Sequence, residues 1–89
     1  MDEAIRKEIK EATDIMQEIL DDRGVPRNIR AVVEKAMEKS NSGEINATVL
    51  SEALYFMDDI SNDINIPQHT RTDVWEIISK LEATKEKVK

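Results

Sequence analysis

Any chemistry in this chain has to be sought in one segment. The stretch "DDISNDINIPQHTRTDVW", residues 58–75, holds the single histidine and the single tryptophan, with four aspartates and an arginine. His69 beside Asp63 is a candidate general base. That role needs a nucleophile and an orienting group converging on the imidazole. Thr70, Thr72 and Asp73 lie close in sequence but make no triad pattern. A zinc site needs two or three further strong ligands, and a chain with no cysteine and one histidine offers only carboxylates. Asp59, Ser61, Asp63 and Asn65 have the alternate spacing that opens an EF-hand loop. The required glycine is replaced by Ile64, however, and the bidentate glutamate by Thr70. "QHTRT" at a helix start is the one DNA-reading candidate. It follows a long turn and an acidic helix end, in a chain of formal net charge −6. No glycine-rich phosphate loop or coenzyme fingerprint is present. The segment therefore assigns no catalytic residue, no metal and no cofactor, and a non-enzymatic protein is the expectation.

A different polar feature is written twice. Asp22 and Arg30 recur as Asp63 and Arg71, each pair spanning a turn with an aliphatic–Pro step at Val25–Pro26 and Ile66–Pro67. The offset is 41 residues. A repeated feature at a turn points to repeated architecture, so the expected role is structural. Each arginine reaches back toward its helix start and bonds the turn carboxylate or the free carbonyls there.

The elements that hold these residues follow from apolar spacing. Ile5, Ile9, Ala12, Met16 and Ile19 step by four and three, with Ile15 and Leu20 beside them. Ile29, Val33 and Ala36 continue the pattern, flanked by Val32 and Met37. Leu50, Ala53, Met57, Ile60 and Ile64 form the third stripe, and Val74, Ile78 and Leu81 the fourth. Four helices are predicted near 3–21, 26–39, 44–62 and 67–86. Gly24 and Asn65 are the expected left-handed residues at the turns, and Asn41 with Glu44 has capping-box spacing. Trp75 is expected to pack in the core beside Ile78, with a surface contact anchor as the alternative.

At the 41-residue offset the two halves share ten identities across positions 3–40, among them Glu11/Glu52, Met16/Met57, Pro26/Pro67 and Val33/Val74. The expected fold is an all-α, four-helix up-and-down bundle. It is built from two duplicated helical hairpins (internal repeat 3–40 and 44–81) in one domain over 1–89. A HEAT-like pair of αα repeats is the alternative.

The composition agrees. At 39% hydrophobic, 36% charged and 3% aromatic, with two Gly and two Pro, the chain has a helical profile and enough apolar residues to escape disorder. No apolar run approaches the roughly 18 residues of a membrane span. The mixed-charge N-terminus is not a signal peptide. With no cysteine, a cytoplasmic setting is expected. The acidic balance disfavours nucleic acid as a partner, and the one basic stretch, "KEKVK", suits a solvated helix end.

"LYFMDDISNDINIPQHTRTDVWEIISKLE" resembles a small archaeal family of uncharacterised proteins, UPF0147. The matching residues are Met57, Asp59, Ile60, Ser61, Asn62, Asp63, Asn65, Pro67, His69, Arg71, Thr72, Trp75, Leu81 and Glu82. "VPRNIR" in the first hairpin is similar too. Ile64 departs from the resemblance, standing where many members are expected to have Pro. The resemblance implies a helical bundle and an archaeal cytoplasmic setting, and it brings no activity. Function is therefore expected at the level of a protein-interaction or self-associating module, with an unknown protein partner or a homo-oligomer. Asn62, Asp63, His69, Arg71 and Trp75 form the candidate contact surface. Association with nucleic acid or ribonucleoprotein, through helix 4 and the basic C-terminus, is the alternative.

Overall fold

The computed structural model describes residues 3–88. Those residues form four α-helices and no strand: α1 (Glu3–Asp21), α2 (Arg27–Ser40), α3 (Ala47–Ser61) and α4 (Gln68–Lys87). The helices pack in a ring, α1 on α2, α2 on α3, α3 on α4 and α4 on α1, and the diagonal pairs do not approach. This is the expected all-α bundle, measuring 35 × 20 × 19 Å.

The core consists of the residues at helical spacing. Ala12, Met16, Val33, Ala36, Leu50, Ala53, Met57, Val74, Ile77 and Leu81 are fully buried. Ala12 and Ala36 let neighbouring backbones approach, and Met16 and Met57 fill the space between. Val25 and Ile66, the residues before the two prolines, are buried as well and join the same core. They close one end of the bundle.

Several local expectations are corrected. Helix α3 begins at Ala47, not 44. Its N-cap is Asn46, whose side chain accepts the Val49 N–H at 2.9 Å. Asn41 instead ends α2, donating its N–H to the Met37 carbonyl. An extended Asn three residues before a free N–H is a sufficient cap, so the Asn41–Glu44 box does not form. Neither Gly24 nor Asn65 takes a positive φ. The Asp22 carboxylate accepts the Gly24 N–H, and the Asp63 carboxylate the Asn65 N–H, both at 2.8 Å. Such Asx turns reverse the chain without a left-handed residue. Ile64, placed in the α3 stripe by its spacing, is 90% exposed because α3 has already ended at Ser61.

Candidate functional site

The turns that join α1 to α2 and α3 to α4 lie at the same end of the bundle. Their backbones bond alike. Asp22 and Asp63 donate to the carbonyls of Ile19 and Ile60, at 3.2 and 3.1 Å. Arg30 and Arg71 donate their N–H groups to the carbonyls of Pro26 and Pro67, at 3.1 and 2.9 Å. The two prolines share one extended conformation, φ −56°, ψ 146° and φ −59°, ψ 151°.

The side chains of the two turns part company. Arg71 runs back to α3, where its guanidinium donates to the carbonyls of Ser61 and, at 2.8 Å, Asp63. Of the two kinds of acceptor expected, it takes the helix-end carbonyls and not the Asp63 carboxylate. Arg30 does not repeat this. Its Nε is buried and has no hydrogen-bond partner among the described residues. The expected Asp22–Arg30 turn pair is thus corrected to proximity of charge. Asp22 finds a different partner: His69 Nε2–H donates to its Oδ2 at 2.7 Å. The ionised carboxylate can only accept, so the shared proton sits on Nε2. The position 41 residues before His69 holds Asn28, so this bond belongs to one turn alone. No sequence signal in either hairpin announced a contact between residues 47 apart.

His69 lies exposed at a helix start, as its position predicts, with 65% of its side chain in solvent and 33% of Asp22's. Asp22 is held below the usual carboxylate range, first by the His69 hydrogen bond and then by the Gly24 N–H. The pair ties the start of α4 in one hairpin to the turn after α1 in the other.

Two further ties run down the same α1–α4 seam. Lys80 meets Glu11 at 3.5 Å. At the far end Glu8 accepts from Lys87 and, at 2.9 Å, from the buried Thr84 hydroxyl. The Lys87 and Thr84 hydrogen bonds hold the Glu8 carboxyl below its ordinary range. Part of the basic C-terminus is therefore used inside the molecule, while Lys89 lies outside the described residues. At the end away from the turns, Arg6, Ile9, Lys10, Thr13 and the 40–45 loop line an open cleft of about 540 Å³. None of the expected site residues lines it. Among the described residues, no group of three His, Cys, Asp or Glu side chains is arranged to hold a metal. No helix is long and apolar enough to cross a membrane.

Trp75 requires the largest correction. It is not core: 55% of it is exposed, and Ile77 fills the interior in its place. Arg71, one turn earlier, marks the α4 flank that faces α3. Lys80, roughly 140° around the helix from Trp75, marks the flank that faces α1. Tyr55 on α3 is 70% exposed, and Ile64 stands at the tip of the turn between the two helices. Among the described residues, the large exposed apolar side chains thus all belong to the α3–α4 hairpin. Tyr55 and Ile64 did not stand out in the sequence, because Tyr and Ile at a helix and a turn are ordinary core residues.

The family model of uncharacterised protein family UPF0147 matches residues 1–84. The chain belongs to UPF0147. A UPF0147 protein of Methanocaldococcus jannaschii is 47% identical over 72 residues, covering 80% of this chain and 77% of its own. One from Methanothermobacter thermautotrophicus is 45% identical over 75 residues, covering 83% and 74%. A UPF0147 crystal structure from Thermoplasma acidophilum superposes with a TM-score of 0.82 at 34% identity, over 89% of this chain and 94% of that one. The Thermoplasma protein shares the fold, and the UPF0147 family is one of uncharacterised function.

Proposed function

We propose that this UPF0147 chain is a non-enzymatic interaction module whose contact face is the outer side of the α3–α4 hairpin. One observation carries the proposal. Tyr55, Ile64 and Trp75 are exposed, and the positions 41 residues earlier hold Asp14, Arg23 and Glu34, all exposed too. With the hairpins taken as repeats, these residues support the view that the architecture accepts charge at all three positions. Folding does not require large apolar side chains there, and their exposure to water has a cost. A contact outside the chain accounts for them, since exposed aromatic residues are common anchors of interfaces.

The proposal includes a duplicated hairpin whose second copy has diverged for binding; the matched turns support it. A cytoplasmic setting fits a chain without cysteine and with archaeal relatives. Binding of nucleic acid through α4 is the weaker alternative, because Lys87 is tied to Glu8 and the chain as a whole carries a net charge of −6.

The test is affinity capture from cell extract with the natural chain and with a Tyr55→Asp, Ile64→Arg, Trp75→Glu variant. The variant carries the residues of the first hairpin. Proteins retained by the natural chain are expected to be missing from the variant. Identical capture by both overturns the proposal.

A further inference from the structure

The two hairpins differ in charge as sharply as in exposed apolar residues. Residues 3–40 hold nine acidic and eight basic side chains; residues 44–81 hold seven acidic and two basic. Both of those basic groups are engaged, Arg71 with carbonyls of the α3 end and Lys80 with Glu11. Glu52 is paired with Lys39 of α2, but other acids of this hairpin are left without a cation. Asp58 and Asp59, one turn from Tyr55, and Glu76, next to Trp75, enter no ion pair among the described residues. Within residues 44–81 the exposed Tyr55 and Trp75 therefore have carboxylates beside them and no unengaged Lys or Arg; Lys85 lies almost three turns beyond Trp75 along α4.

Resting on the interaction reading above, we infer that this face docks a basic polypeptide segment of a partner protein, one with Lys or Arg interspersed among apolar residues. Aromatic faces attract Lys and Arg cations. The aliphatic stems of those side chains cover apolar surface while their heads meet carboxylates. The acidic surround speeds encounter with such a segment and repels phosphate backbones. A second copy of this chain fits poorly. A two-fold contact through the patch would set the same acidic residues against themselves, and juxtaposed like charges oppose association. The three apolar side chains expose on the order of 500 Å², the core of an interface that usually takes about 800 Å² from each partner. A segment lying along the hairpin would cover the rest.

The test uses the full chain and a labelled 18-residue amphipathic peptide of Lys and Leu, with a Glu-for-Lys counterpart as the control. Trp75, the single tryptophan, reports its own burial. The basic peptide is expected to bind and to shift Trp75 emission to the blue, and the acidic one to do neither. Trp75→Glu and Tyr55→Asp, read by peptide anisotropy, are each expected to weaken binding tenfold or more, although each adds negative charge. Asp58→Asn, Asp59→Asn and Glu76→Gln together should weaken it several-fold. Glu34→Gln with Glu38→Gln, on the first hairpin, should not. Tighter binding by Trp75→Glu would show bulk charge attraction and overturn the inference. So would equal binding of the two peptides, or no emission shift. Sedimentation showing a dimer that buries Trp75 would overturn the basic partner and leave the interaction face standing.

Discussion

At the residue scale, the two arginines separate what a motif says from what a side chain does. Arg30 and Arg71 occupy matching positions, yet only Arg71 has its expected acceptors. A planar fork that ties two helix-end carbonyls is poorly replaced by a point charge. Arg71→Ala is expected to destabilise by about 1–3 kcal/mol, the range for hydrogen bonds from a charged group. Arg71→Lys should recover little of that. Arg30→Ala should cost less than Arg71→Ala, since its Nε has no bond to lose. Urea unfolding of the three variants checks the order, and equal losses at 30 and 71 would contradict it. His69→Gln should change stability by only about 0.5 kcal/mol, because the group is mostly exposed and an amide can still donate to Asp22. The arginine positions were legible in sequence because turn punctuation surrounds both. The difference between them was not, because it depends on where each guanidinium finds a carbonyl.

At the scale of elements, apolar spacing was a sound guide wherever the helix persisted. Ile5 to Ile19 and Leu50 to Ile60 are buried as their steps of three and four predict. The spacing misled where the helix stopped. Ile64 continues the α3 stripe on paper, but Asn62 already ends the helix. Trp75 lies one residue past the buried Val74, and spacing alone leaves its register open. Composition could have tipped the balance: the matched Glu34 marks that position as one that tolerates solvent. The α3 cap was misplaced for a related reason. Two asparagines stand five residues apart at positions 41 and 46, and sequence does not say which backbone is extended. Asn46→Ala should cost about 1 kcal/mol, and Asn41→Ala clearly less, as cap replacements do. Thermal melts of the two variants check this. Should the duplication hold, residues 3–39 and 44–80 of an experimental structure will superpose with equivalent turns, and a different helix order or loop position would refute it.

At the scale of the whole molecule, the two hairpins meet along unequal seams. The α2–α3 seam has one ion pair, Lys39 with Glu52. The α1–α4 seam has three ties, from Asp22–His69 at one end through Glu11–Lys80 to Glu8 with Thr84 and Lys87 at the other. Asp22 and Glu8 are the end ties, and their hydrogen bonds hold both carboxyls below the ordinary range. A carboxylate with a lowered folded pKa stays ionised where the unfolded chain, at about 4, has begun to take up protons. The unfolded state then binds more protons, so stability rises with pH across that window. The contribution is complete above the unfolded pKa and is lost as pH falls through the folded one. An opposing effect acts on the same axis, since protonation relieves the self-repulsion of a chain with net charge −6. The melting temperature of the natural chain mixes the two. The difference between a Glu34→Gln, Asp59→Asn control, which removes two exposed carboxylates outside the seam, and a Glu8→Gln, Asp22→Asn variant isolates the seam, because both have lost two negative charges from the −6 of the natural chain. That difference should be largest near neutral pH and shrink steadily below about pH 4. A gap that stays constant down to pH 2.5 would mean that neither carboxylate holds the hairpins together through its charge.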